Sequence, residues 1–202
     1  YRFADVFARI ERAPERVRPQ LEALEGVAAV ATRIVKRIRI PIEREDQPPI
    51  GVAVSIPDRG LPALNGIHLL RGRLPEGDEA LLIARFAEKR GIEPGDTIPV
   101  ILEKQQRDVR ISGIALSPEY VCAIAPGSNV TPDDERFAVL WMRRRSLEAA
   151  TQMRGAFNDA VLGLQPGANE QDVIDAVERV LEPYGGKGAM GRRDQASNAV
   201  LE

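Results

Sequence analysis

The sequence predicts an α+β fold in which one α+β unit is interrupted by a β-rich insertion. Three observations carry this. Residues 1–44 read strand–helix–strand, and residues 136–187 read strand–helix–strand–helix. Between them, residues 45–135 form a stretch of roughly 90 residues, mostly of strand character, within the size of a small domain. Proline-bearing segments without regular period, 43–49 and 117–136, flank that stretch.

Residues 3–10 alternate partly and read as a strand. Pro14 suits a first helical turn, and Val17, Leu21 and Leu24 fall on one helical face that Gly26 closes. From Val27 the period changes. Ile34, Ile38, Ile40 and Ile42 share one parity and Val35, Arg37 and Arg39 the other, as in one long strand with a core face and a water face. Pro48-Pro49 excludes regular pairing and sets the first boundary. Residues 51–56 read as a short strand and 57–66 as turns.

The next stretch carries the clearest local signals. Residues 80–83 read as a strand running into a helix at 84–90, which Gly91 ends in the left-handed conformation. Glu93-Pro94-Gly95-Asp96 is a tight turn, with proline to preset φ and glycine free to take positive φ. Strands at 97–103 and 107–115 follow, joined by a polar loop. After the irregular segment 117–135, residues 137–142 (FAVLWM) read as a buried strand and Ser146 as the N-cap of a helix with Leu147, Ala150 and Met153 on one face. A strand at 160–165 precedes a last helix capped by Asn169, whose stripe is Val173, Ile174, Val177, Val180 and Leu181. Gly185 ends it, and the remainder, residues 186–202, is glycine-rich and then polar.

Composition narrows the function classes. In 202 residues, 44% hydrophobic and 29% charged, a domain can bury a full core, so disorder is not expected. Lys and Arg number 28 against 30 Asp and Glu, which lacks the basic surplus of a general nucleic-acid binder. The single cysteine, Cys122, excludes an intramolecular disulfide and a multi-cysteine metal site, and reads as a small buried hydrophobe. No apolar run approaches the ~18 residues that span a bilayer. The chain opens on Tyr1 without a basic-then-apolar leader, which suggests a piece of a larger protein.

No motif encodes catalysis, so the expectation is a protein that is not an enzyme and holds no metal or cofactor. His68 is the sole histidine and sits in an apolar run without an acidic neighbour, as a structural or surface residue does. Residues 186–191 (GKGAMG) match the letters of a dinucleotide fingerprint, but they trail a helix instead of a strand. They read as a flexible connector. Asp133-Asp134-Glu135 lacks the alternating ligand spacing of a calcium loop and reads as solvated. Arg143-Arg144-Arg145 stands against a helix dipole, so it is a solvated turn or meets an acidic partner or a lipid headgroup. Asn129-Val130-Thr131 is a glycosylation sequon with Pro132 directly after it. Trp141 reads as core. Residues 116–126 (LSPEYVCAIAP) are either core or a contact surface with Tyr120 at its edge.

The run from Gly72 to Tyr120, GRLPEGDEALLIARFAEKRGIEPGDTIPVILEKQQRDVRISGIALSPEY, resembles part of the periplasmic domain of bacterial ABC-transporter permeases of the FtsX/MacB type. The order of ALSPEY, RFAVLWM, GAFNDAVLGL and PYGGKGAMGRRDQASN extends the resemblance over nearly the whole chain. It implies a porter-like α+β subdomain (1–44 and 136–187) split by an inserted β-rich subdomain (45–135), with 188–202 leading toward a membrane helix. It further implies an extracytoplasmic, periplasmic domain of an inner-membrane permease that couples ATP hydrolysis to export or mechanical work. Implied partners are a cytosolic ATPase subunit, a second permease copy, and a periplasmic adaptor, lipoprotein, lipid or peptide. A free-standing secreted module binding a peptide or lipoprotein is the alternative. Because both segments linking the subdomains, 43–49 and 117–136, are polar and proline-bearing, they are expected to form a double hinge.

Overall fold

A computed structural model describes residues 3–41, 48–120 and 137–194. In chain order its strands and helices are β1 (Val6–Pro14), α1 (Arg18–Glu22), β2 (Val27–Arg33), β3 (Val35–Arg39), β4 (Ile50–Ile56), β5 (His68–Gly72) and β6 (Ala80–Ile83). They continue with α2 (Ala84–Arg90), β7 (Thr97–Leu102), β8 (Gln105–Leu116), β9 (Phe137–Arg143), α3 (Arg144–Thr151), β10 (Ala156–Leu164), α4 (Glu170–Leu181) and β11 (Gly186–Gly191).

Two sheets organise these elements. The first has the order β11-β1-β10-β2, with every pair antiparallel. Helices α1 and α4 cover one face, so the layer is a split β-α-β arrangement. Its core joins Val6, Ile10, Leu21, Leu162, Val177 and Leu181. Val17 and Leu21 are buried on the side that their spacing predicts. The Asn169 side chain accepts a hydrogen bond from the Gln171 N–H at 3.0 Å and caps α4.

The second sheet runs β5-β8-β6-β9-β4-β3-β7, and β7 pairs again with β8. Six of its strands therefore close into a barrel, with β5 attached outside on β8. Closure pairs strand edges that would otherwise stay open. Parallel contacts β4–β9 and β6–β8 alternate with antiparallel ones. Gly51 is required at the β4–β9 contact, because a Cβ there would lie 2.0 Å from the Ala138 carbonyl oxygen. Helix α2 ends at Gly91 (φ 63), and Gly95 (φ 108) turns the chain so that its N–H reaches the Ile111 carbonyl at 2.7 Å. The loop expected between β7 and β8 is a two-residue turn, Glu103-Lys104, with both φ values positive (48 and 65).

Sheet membership moves the expected boundaries. The long strand anticipated from Val27 onward is two strands broken at Ile34: β2 belongs to the first sheet, β3 to the barrel. Parity does report burial here, since Ile34, Ile38 and Ile40 are all buried. It does not report which sheet a strand joins. Likewise β9 and α3, expected in the outer unit, pack in the barrel through Leu140, Trp141 and Leu147. The chain thus passes between sheets at Ile34 and again at 152–155, not at 44/45 and 135/136. Residues 42–47 and 121–136 lie outside the described residues, and each connects one barrel strand to another. The expected double hinge is therefore not where the sheets join.

Two further expectations change. Residues 186–191 pair with β1 as an edge strand, Val6 opposite Gly191, instead of forming a flexible connector. Ser146 is not an N-cap; β9 runs straight into α3, and the Ser146 hydroxyl donates to the Gly77 carbonyl at 2.5 Å.

Candidate functional site: the junction between sheet and barrel

The least ordinary chemistry in the described residues lies where the two sheets meet. Arg33 ends β2 and stands directly opposite Asp159 on β10, which itself stands opposite Arg9 on β1. The face of the first sheet away from its helices therefore carries a cross-strand row of alternating charge. The Arg33 guanidinium is buried. Its Nε donates to Asp159 Oδ1 at 2.7 Å, and its two terminal nitrogens donate to both oxygens of Glu119 at 2.6 and 2.8 Å. Glu119 sits in a 3₁₀ turn, Pro118–Tyr120, that comes after the barrel strand β8. Asn65 donates to the same carboxylate at 2.9 Å.

This crowding sets the electrostatics. Burial opposes the Arg33 charge, but Asp159 and Glu119 outweigh it and hold the guanidinium well above its ordinary range. Burial pushes the Asp159 carboxyl up; Arg33 pulls it down, and Glu119 adds to the rise. Burial, then the Glu119 charge, pushes Tyr120 well above a normal phenol. The Tyr120 ring meets Trp141 edge-on at 6.1 Å, so Trp141 is core, 2% exposed, and Tyr120 caps it.

A second ionic cluster holds the chain at both crossings. Arg144 pairs with Glu15 and with Glu148, and donates to the carbonyls of Thr32 at 2.8 Å and Ala156 at 2.9 Å. Asn158 clamps the Val35 backbone, accepting from its N–H and donating to its carbonyl, both at 2.8 Å. Ser55 and Ile34 exchange bonds at 2.8 Å. Arg143 donates to the carbonyls of Pro57, Gly60 and Pro75. Of the three readings open for the arginine run, the acidic partner holds for Arg144, and Arg145 meets Asp58 at 3.4 Å.

Other residues singled out in the sequence scatter. His68 is exposed on the outer strand β5, opposite Leu116. Cys122, Asp133-Asp134-Glu135 and Asn129-Val130-Thr131 lie outside the described residues. Among the described residues no group of three His, Cys, Asp or Glu could hold a metal ion, and no helix is long and apolar enough to cross a membrane. A groove of about 540 Å³ beside α4 and β11 is lined by Arg9, Asp175, Glu178, Arg179 and Glu182. The Glu178 carboxylate accepts the Ala189 N–H there at 2.9 Å, which covers part of the β11 edge.

Arg33, Glu119 and Asp159 are not anticipated as a site by the sequence reading. One signal was available: Arg33 and Asp159 each interrupt an apolar stretch, VAAVATRIV and AFNDAVLGL, with no other charge in it.

Comparison with solved structures gives the fold a precedent. The extracellular domain of the noncanonic ABC-type transporter YknZ from Gram-positive bacteria superposes with a TM-score of 0.53 at 12% identity, over 93% of this chain and 98% of that one. The chain carries the fold of an ABC-transporter extracytoplasmic domain. The periplasmic region of MacB from Actinobacillus actinomycetemcomitans gives a TM-score of 0.52 at 10% identity, over 93% and 88% of the two chains. Neither protein-family models nor curated proteins gave a match to the sequence.

Proposed function

We propose that this chain is the extracytoplasmic, periplasmic domain of an FtsX/MacB-type ABC-transporter permease in the inner membrane. In this reading a cytosolic ATPase subunit hydrolyses ATP, the membrane helices of the permease move, and this domain passes that movement to a periplasmic adaptor, lipoprotein, lipid or peptide. A permease dimer is the form proposed here. The domain itself carries out no reaction and holds no cofactor. The observation that carries the reading is the fold match, which extends over nearly the full length of both neighbours.

The geometry of the described ends supports it. β1 and β11 are antiparallel neighbours with Val6 opposite Gly191. Arg192 donates to the carbonyls of Phe3 at 2.8 Å and Ala4 at 3.0 Å, pairs with Asp5 at 2.7 Å, and stacks over the Phe3 ring at 5.1 Å. The described chain ends, before β1 and after β11, thus lie together at the same end of the first sheet, as a domain hung between two membrane helices requires.

Labelling tests the location. In intact cells making the protein within its natural flanking sequence, a Lys104→Cys substitution in a Cys122→Ser background is expected to react with a membrane-impermeant maleimide. Reaction only after lysis contradicts the proposal.

A further inference from the structure

Residues 57–67 leave the barrel, touch the four-stranded sheet and return to the barrel. They join the barrel strand β4 to β5, the strand attached outside the barrel on β8. At the far point of this excursion Leu64, 3% exposed, packs with Ala4, Phe7 and Val161 on the sheet face opposite the helices. The next residue, Asn65, is equally buried and takes a left-handed backbone (φ 52) that side chains other than glycine adopt at a cost. That conformation aims its amide between two partners. Oδ1 accepts the Ala4 N–H at 2.8 Å, and Nδ2 donates to Glu119 at 2.9 Å. The two legs are tied to the barrel side. Arg143 holds the carbonyls of Pro57 and Gly60 at 2.7 and 2.9 Å, Asp58 accepts the Arg145 N–H at 3.0 Å, and Ile67 is buried in the barrel core.

We infer that residues 57–67 are a strap that locks the barrel onto the four-stranded sheet, with Asn65 as its pin, so that the two move as one body. The two covalent crossings cannot do this alone. They lie side by side, since the single guanidinium of Arg144 reaches both Thr32 and Ala156. Adjacent crossings define one axis, and a barrel joined only there is free to swing about it. The strap attaches away from that axis. A Leu64 methyl lies 3.3 Å from where a Cβ of Gly163 would be. Gly163 is seven residues along β10 from Ala156, and its partner Ala29 is five residues along β2 from Ile34, so it stands roughly 17 Å from the nearer crossing at ~3.4 Å per residue. The Arg33–Glu119 bridge lies close to the crossing at Ile34, and an attachment further out, at Leu64 and Asn65, removes the rotation that the crossings leave open. The inference does not depend on the transporter reading.

Distance measurement on this 202-residue chain tests it. Spin labels at Lys104→Cys in the barrel turn and Gln171→Cys in α4, in a Cys122→Ser background, report barrel against sheet. A single narrow distance distribution is expected. Asn65→Gly keeps the left-handed backbone and deletes only the pin, and is expected to at least double the width while the circular dichroism is unchanged. Leu64→Ala, which loosens the tip through packing instead, should broaden the distribution in the same way. A broad distribution in the labelled chain without strap substitutions overturns the inference whatever the variants do, as does an unchanged width in both variants.

Discussion

Replacing Arg33 by Met is the most informative perturbation of the junction. The guanidinium makes three charge-assisted hydrogen bonds, 2.6, 2.7 and 2.8 Å long, to two carboxylates from different parts of the fold. Side-chain exposures are 9% for Arg33, 5% for Glu119 and 11% for Asp159, so water cannot take over its role. Met fills similar volume but leaves two buried carboxylates facing each other. Breaking a buried pair from one side costs about 3–5 kcal/mol. At about 2–4 °C per kcal/mol for a chain of this size, the melting temperature should fall by roughly 6–20 °C. Asp159→Asn leaves the Arg33–Glu119 pair one-to-one and should cost much less. The triple variant Arg33→Met/Glu119→Gln/Asp159→Asn removes every charge and should recover at least half of the loss. Thermal unfolding monitored by circular dichroism reads all three. A loss below about 1 kcal/mol for Arg33→Met, or a triple variant no more stable than the single, refutes the view that uncompensated buried charge governs the junction.

Three further outcomes are expected. Because the folded-state pKa of Asp159 is raised, its contribution to stability is full below the unfolded value near ~3.9 and is lost as pH rises through the folded value. The Asp159→Asn variant should therefore gain on the wild-type protein in denaturant titrations as pH rises from about 4 toward neutrality; a difference independent of pH counts against this. Tyr120 is also raised, so its stabilising contribution is full below the ordinary phenol value near ~10 and is lost progressively as pH rises from there through the folded value. In an alkaline absorbance titration part of the phenolate signal should appear only with unfolding, and Tyr120→Phe should remove that part. Gly51→Ala places a methyl against the Ala138 carbonyl and should destabilise the barrel by about 3 kcal/mol in chemical denaturation, where a neutral result would contradict the close approach of β4 and β9.

What could be read in the sequence was local. The α2–Gly91–turn–β7 unit rests on residues adjacent in the chain: a left-handed glycine, a proline-glycine turn and strand propensity. Its bounds agree with expectation to within two residues at most ends. The apolar stripe and Asn169 cap of α4 are legible for the same reason. Pairing between distant strands was not legible. β3 continues the parity of β2 without a glycine or proline at Ile34, and the break exists because Ser55 and Asn158 hold the backbone there. Residues 186–191 look flexible in isolation because three of the six are glycine. They become a strand because β1 offers a free edge. The junction charges stand each alone in its own strand. Only the folded chain brings Arg33 to Asp159, 126 positions away, and to Glu119, 86 away.

The central claim is that movement driven by a cytosolic ATPase reaches this domain. Its most direct test is on the membrane-embedded permease that the proposal predicts, purified with whatever subunits accompany it. A label at Lys104→Cys and a second at the membrane end of the first flanking helix, in a Cys122→Ser background, report how the domain sits over the bilayer. The account predicts co-purification of an ATP-hydrolysing subunit and a label-to-label distance that shifts when ATP is trapped with vanadate. A permease without an associated ATPase, or a distance identical in the nucleotide-free and trapped states, would contradict it.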